Sequence, residues 1–408
     1  MKRGWQTEPL GDLCDFRRGL TYAKSDEVEF SNNVVLRATN IDLSTNLLDF
    51  SELKYISDLV VVPDSKKVKK GSLLICTASG SKSHLGKVAY INDDCGYAFG
   101  GFMGMVTPKN GVHPRYLFHR LTSSAYKDFI GELSDGANIN NLKFDDLRNF
   151  PVPHPDCPEQ QRIVSILDQA FEAISKARAN AEENLKNARA LFDSHLQSVF
   201  TQRGEGWVEK PLSELCDIKH GFAFKSEFFT GEGDYVLLTP GNFYESGGYR
   251  DRGDKQKYYA GEIPRDYVLN EGDLLVAMTE QAAGLLGSPI LVPESGKFLH
   301  NQRLGLVTKK AGLSWINEFF FYVFNTHGVR KEIHDSASGV KVRHTSPTKI
   351  GEVVVSFPTS ITEQRAIVST LENLSEETQR LESLYRQKLE ALDVLKQSLL
   401  HQAFSGQL

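Results

Sequence analysis

Two stretches of this 408-residue chain keep an apolar seam whose spacing alternates between four and three. Between Glu159 and Phe200 the seam runs Ile163, Leu167, Ala170, Ile174, Ala177, Ala181, Asn184, Ala188, Leu191, His195. Between Glu363 and Phe404 it runs Ile367, Leu371, Leu374, Thr378, Leu381, Tyr385, Lys388, Leu392, Leu395, Leu399. Neither stretch contains Gly or Pro, so each predicts one helix, about 60 Å long at 1.5 Å per residue. Pro158 suits the first turn of the first helix, and Thr362 is the expected N-cap of the second. The spacing is a heptad pattern and predicts coiled-coil packing. One seam is rich in Ala and the other in Leu, which suits packing of these two helices on each other. Asn184 and Lys388 interrupt the seams at equivalent places and are expected to fix the register.

The rest of the chain reads differently. Short apolar runs such as Asn33-Val34-Val35-Leu36, Gly71-Ser72-Leu73-Leu74-Ile75 and Gly351-Glu352-Val353-Val354-Val355 are broken by turn residues and predict strands. Helical stretches are expected over Pro114 to Ile130 and Trp315 to Ile333. These features come twice. Pro9-Leu10-Gly11-Asp12-Leu13-Cys14-Asp15 returns as Pro211-Leu212-Ser213-Glu214-Leu215-Cys216-Asp217, Gly19 as Gly221, and Asn40 as Asn242. Leu73-Leu74 returns as Leu274-Leu275, Gly86 as Gly287, and Glu159-Gln160 as Glu363-Gln364. The matches are collinear with slowly drifting offsets, which is the mark of a duplicated domain with small insertions. The expected fold class is α+β: two mixed domains, each followed by a long helix. The boundaries are a first domain at 1–157, its helix at 158–203, a second domain at 204–361 and its helix at 362–408.

Composition narrows the chemistry. The chain is 40% hydrophobic and 24% charged with a formal charge of −5, which excludes wholesale disorder and a polycation that coats nucleic acid. Cys14, Cys76, Cys95, Cys157 and Cys216 are scattered and odd in number, which argues against a disulfide framework and a zinc site. The opening Met1-Lys2-Arg3-Gly4-Trp5 has no apolar run behind its charges, and no long apolar stretch follows, so neither a signal peptide nor a membrane span is expected. A cytoplasmic protein is the expectation. Catalytic motifs are missing as well. No Asn-Pro-Pro-aromatic or Asp-Pro-Pro-Tyr loop occurs, and Phe99-Gly100-Gly101-Phe102 reads as a strand-end turn. Gly80-Ser81-Lys82-Ser83-His84-Leu85-Gly86-Lys87 has five residues between its glycines and Val88 where a magnesium-binding hydroxyl belongs, so it fails as a phosphate loop. The eleven histidines include no HExxH.

Both halves open on Trp followed by Leu-x-Asp/Glu-Leu (Trp5 to Leu13, Trp207 to Leu215). Both carry Gly-Ser/Asp-Leu-Leu and a later Leu-Gly turn (Leu85-Gly86, Leu286-Gly287), and both leave through a Pro-rich segment into Glu-Gln-x-x-Ile. With the terminal Ala403-Phe404-Ser405-Gly406-Gln407-Leu408, the whole chain resembles the specificity (S) subunits of type I restriction–modification enzymes. Pro155-Asp156-Cys157-Pro158 and Pro358-Thr359-Ser360-Ile361 depart from the more usual Pro-Pro-Leu before Glu-Gln. The resemblance implies two target recognition domains that read the halves of a bipartite double-stranded DNA site, separated by an antiparallel helix pair. It also implies two methylation (M) subunits that bind S-adenosylmethionine, and restriction (R) subunits that use ATP and Mg. No cofactor and no catalysis would belong to this chain. The rival readings are an enzyme fused to recognition domains and a coiled-coil protein scaffold that reads no DNA sequence.

Base reading calls for Arg, Lys, Asn or Gln on loops. In the first domain the candidates are Arg37, Asn40, Lys82, Ser83, His84, Asn138, Asn140 and Asn141. In the second they are Asn242, Tyr244, Thr279, Gln281, Arg303, Lys341, Arg343 and His344. Lys66, Lys67, Lys69, Lys70, Lys255 and Lys257 are phosphate candidates. The run Phe319-Phe320-Phe321-Tyr322 lies on an expected helix and reads as core.

Overall fold

The structure is a computed structural model that describes residues 5–43, 45–80, 84–135, 141–281 and 284–408. Each domain is built around a four-stranded antiparallel sheet. In the first, the strand order is Cys14–Arg18, Met103–Pro108, Leu73–Cys76, Val88–Tyr90; in the second it is Cys216–His220, Leu304–Lys309, Leu274–Ala277, Pro289–Leu291. The strand Leu73–Cys76 is buried along its length because its two faces enter different cores. Leu73 and Ile75 join the core with the helices, while Leu74 and Cys76 join a second core. Leu274 and Val276, against Leu275 and Ala277, divide in the same way. That explains a continuous apolar run where a one-sided strand would alternate.

A second, smaller sheet orders Glu27–Val28, Lys54–Ile56, Asn33–Leu36 and Ala98–Phe99, the last pair being parallel. Its counterpart orders Phe229–Thr230, Tyr258–Tyr259, Val236–Leu237 and Phe298–Leu299. Gln6–Pro9 pairs with Pro151–His154, and Trp207–Pro211 with Val354–Pro358, so each domain is closed where its chain enters and leaves. Cys14 and Cys216 start equivalent strands, and burial pushes both thiols up to about 12, which makes them inert packing groups.

The expected single helices after residues 114 and 315 are each broken in two. Pro114–Arg120 is followed by Ser124–Asp135, and Asn317–Phe324 by His327–Asp335. The breaks fall where hydroxyls turn back on the main chain. Thr122 Oγ1 donates to the Phe118 carbonyl at 3.1 Å, Ser123 Oγ to Arg120 at 2.7 Å, and Thr326 Oγ1 to Val323 at 2.8 Å. Phe319 and Phe320 are fully buried and Tyr322 nearly so, as the core reading expected.

The long helices span Cys157–Gln202 and Ile361–Ser405, 46 and 45 residues. Asp156 Oδ1 accepts the Glu159 N–H at 3.0 Å, with Pro158 in the first turn as expected. Ser360, not Thr362, caps the second helix: its Oγ accepts the Glu363 N–H at 3.3 Å. The chain divides into two compact units, 1–182 with 386–408, and 183–385. Each unit therefore holds part of both helices, running antiparallel. In the first, Arg162 reaches Leu408 and Arg178 pairs with Asp393. Ile163, Val164 and Leu167 share a core there with Leu400, Ala403 and Phe404. In the second unit Arg189 pairs with Glu382 at 3.1 Å, and Leu196 shares a core with Val368 and Leu371.

The register expectation needs correction, because Asn184 and Lys388 are both exposed, and so is Leu191. A straight helix drifts about 20° per heptad, so a strict seven-residue seam drawn from Ile163 leaves the buried face after a few turns. The buried and half-buried positions become Ala181, Leu185, Ala188, Phe192 and Leu196.

Two measurements check this account of the fold. Arg189→Ala removes an ion pair that is more than half exposed on the Arg side, so its cost should stay below about 1 kcal/mol in a urea titration. His300 is fully buried, and burial holds its imidazole down at about 4, although its Nε2 donates to the Leu304 carbonyl at 2.9 Å. Since the ordinary value is about 6.5, the unfolded chain takes up this proton first. Stability from His300 is complete above pH 6.5 and falls as the pH drops toward 4. The loss should be about 3 kcal/mol, and His300→Gln should flatten that part of the pH–stability curve.

Candidate nucleic-acid interface

One end of each domain is made of three segments that the sequence keeps far apart. The first is a 3-10 turn after the strand Asn33–Leu36, and its counterpart after Val236–Leu237. In these turns Asn40 Oδ1 accepts the Arg37 N–H at 2.9 Å, and Asn242 Oδ1 accepts the Thr239 N–H at 3.0 Å. Asn40 Nδ2 donates to the carbonyls of Asp49 and Glu52, both at 2.9 Å, while Asn242 Nδ2 donates to Gln256 Oε1 at 2.9 Å. Both Asn side chains are 1% exposed, so they brace the turn and leave the set of base-reading candidates. Arg37 and Thr239 sit at the lip of the turn they brace.

The second segment is the turn before the central strand. The Met103 N–H reaches the Gly100 carbonyl at 2.8 Å, and the Leu304 N–H reaches Asn301 at 3.0 Å, which leaves Phe102 and Arg303 exposed at the tips. Gly19 and Gly221 let a neighbouring strand end run against this turn. A Cβ on Gly19 would lie 1.9 Å from the Gly100 carbonyl oxygen, and one on Gly221 would lie 2.2 Å from that of Asn301. Lys66, a phosphate candidate, spends its ammonium on this frame, donating to the carbonyls of Arg18 at 2.8 Å and Gly19 at 3.2 Å.

The third segment joins the candidate loops. Ala78 bridges Asn141, and the Leu142 N–H donates to the Thr77 carbonyl at 2.7 Å. Thr279–Glu280 pairs with Arg343–His344, and the Thr345 N–H donates to Met278 at 3.0 Å. Asn141, Gln281, Lys341 and His344 are exposed, and Thr279 Oγ1 lies 3.2 Å from His344 Nδ1. His84 is half-buried, and Tyr244 is 50% exposed with the Arg250 guanidinium 5.9 Å from its ring. Lys82, Ser83, Asn138 and Asn140 lie outside the described residues. Arg343 does not present a free fork: its guanidinium donates to the His334 carbonyl at 2.5 Å and also lies against the His334 ring. It ties the loop down, beside the buried Glu280 carboxylate, whose Oε2 accepts the N–H groups of Gly284, Leu285 and Leu286 while Oε1 lies 3.6 Å from His334 Nε2.

A feature that sequence reading missed lies between the first two segments of the first domain. A cavity of about 570 Å³ is lined by residues including Tyr22, Lys24, Arg37, Ser79 and Phe102. Burial raises the Tyr22 phenol above its ordinary value. The sequence predicts a plain strand-end turn around Phe102. The turn is there, but its aromatic points out at 73% exposure, and only an exposed large aromatic next to two glycines could have signalled it.

Comparison with known proteins bears on this arrangement directly. The family model described as the type I restriction modification DNA specificity domain matches residues 2–183 and again 204–391. The StySPI specificity subunit of Salmonella potsdam is 27% identical over all of this chain and 90% of its own length. The EcoKI specificity subunit of Escherichia coli K12 is 26% identical over the same shares. Among solved structures, a chain from a study of type I R-M complex assembly and conformational transition aligns with a TM-score of 0.79 at 19% identity, covering 100% of this chain and 99% of that one. The HsdS subunit from Thermoanaerobacter tengcongensis aligns at 0.63, also at 19% identity, covering 100% and 98%. Matched twice by one family model and along its whole length by curated relatives, the chain belongs to the type I restriction–modification DNA specificity subunits.

Proposed function

We propose that this chain reads an asymmetric, bipartite site in double-stranded DNA, one half-site per domain, and performs no catalysis itself. The observation that carries this reading is the contrast between frame and loops. Identical residues at equivalent positions hold the backbone (Gly19 and Gly221, Asn40 and Asn242, Gln160 and Gln364), while the exposed residues on that frame differ. One scaffold with two different sets of exposed side chains suits two different half-sequences. Phosphate contacts would position each domain, and Arg, Asn, Gln and His at the loop tips would read base edges. Two methylation subunits would dock on this one chain and bring S-adenosylmethionine, and restriction subunits would bring ATP and Mg. The place of action is the cytoplasm, where chromosomal DNA is accessible. Among the described residues no helix is long and apolar enough to cross a membrane.

The test is co-expression with the genomic neighbours, followed by mapping of methylated adenines in host DNA. A single two-part methylated motif with an unread spacer supports the reading. Absence of any methylated motif, together with failure to retain a modification subunit, overturns it in favour of a protein scaffold.

A further inference from the structure

The two domains use the same backbone positions at the candidate interface and exchange the chemistry placed on them. Arg37 and Thr239 are equivalent, since each N-caps its 3-10 turn through the same Asn. Phe102 and Arg303 are also equivalent: their carbonyls accept the N–H groups of Thr77 and Met278, both at 2.9 Å. In the first domain a guanidinium stands in the cavity wall and an aromatic ring at the rim. Arg37 is half-buried, and its Nε is buried without a hydrogen-bond partner, so the side chain holds a donor with nothing to donate to. In the second domain the wall is aromatic. Phe222 and Phe224 take the places of Leu20 and Tyr22, with ring centroids 5.1 Å apart, and the cation has moved out to Arg303.

We propose that these paired positions, 37 with 102 and 239 with 303, are the determinants that make the two half-sites differ. This rests on the DNA-reading function proposed above. A guanidinium fork matches the O6 and N7 acceptors of guanine in the major groove, and a planar ring suits apolar contact with a thymine methyl. The first domain thus offers a fork set back in the wall and a ring reaching forward. The second offers the fork reaching forward and a hydroxyl, Thr239, behind it. Equal frames with the fork set back in one domain and reaching forward in the other would read different base pairs at equivalent depths along the groove.

The experiment is selection from a randomised duplex library by the full chain co-purified with its modification subunits, comparing the wild type with Arg37→Met, Phe102→Ala and Arg303→Met. Arg37→Met keeps the aliphatic stem, Phe102→Ala alters an exposed side chain, and unchanged thermal midpoints check folding. Arg37→Met should lower discrimination roughly tenfold to a hundredfold at one or two base pairs of one half-site. Phe102→Ala should relax that same half-site, and Arg303→Met the other half-site only. A selective wild type whose variants select the same motif, weaken binding evenly across sequences, or all relax one half-site overturns this inference and leaves the DNA-reading function standing. A wild type that selects no sequence removes both.

Discussion

Gln364→Ala should lower the unfolding free energy of the second domain by about 4 kcal/mol or more, and Gln160→Ala should do the same to the first. Both side chains are fully buried, and each makes three hydrogen bonds to main-chain groups. Gln160 Oε1 accepts the His113 N–H at 2.8 Å, and its Nε2 donates to the carbonyls of Gly111 at 3.0 Å and Pro155 at 2.8 Å. Gln364 repeats this with the Ile316 N–H at 3.2 Å and the carbonyls of Ser314 at 3.1 Å and Pro358 at 2.9 Å. The amide binds the segment that leaves the domain to the segment that starts a core helix. Truncation removes the partner of a half-buried N–H and of two carbonyls, at about 1–3 kcal/mol for each group left unsatisfied, and opens a cavity where a fully buried side chain stood. Scanning calorimetry on the full chain checks it: each variant should lower one transition. A shift no larger than that of an exposed control such as Gln379→Ala would refute the clamp.

Gly221→Ala and Gly19→Ala are expected to cost about 4 kcal/mol or more, above the usual range for overpacking. Neither glycine is needed for a left-handed backbone, as neither is among the positive-φ residues. The constraint is distance, with main-chain carbonyls at 2.2 Å and 1.9 Å from the new Cβ. A backbone carbonyl has no rotamer to retreat into, so the parallel bridges Leu20 to Gly100 and Phe222 to Asn301 must open. Gly80, with nothing within 4 Å, is the control, and its Ala variant should be nearly neutral. Equal midpoints for Gly19→Ala and Gly80→Ala would show that the turn is not held by this approach. Because Phe102 and Arg303 ride on the same turns, the glycine variants should also weaken DNA retention.

Much of the fold was legible in the residues. A seam free of Gly and Pro yields a long helix from local preferences alone, and an ordered series of repeated residues reveals a duplication without any coordinates. The repeated Glu-Gln and Leu-Gly pairs marked real structural devices. Gln160 and Gln364 are the clamps, and Gly86 and Gly287 take φ of +75° and +76° in equivalent turns. The loops were harder. Asn40, Asn242 and Arg343 are polar residues near turns, which from sequence alone look like groups awaiting a ligand. The structure spends them on backbone carbonyls eight or more residues away.

What the sequence by itself determined is the plan: two copies of one α+β domain, each followed by a helix of more than forty residues, with no motif for catalysis. Those properties depend on local periodicity and on order along the chain, which one dimension records. Only the tertiary structure decided which side chains remain available. Whether an Asn braces a turn or meets solvent depends on which carbonyls the fold brings to it. The exchange of Arg37 and Phe102 for Thr239 and Arg303 becomes visible only when two distant segments are brought to one rim.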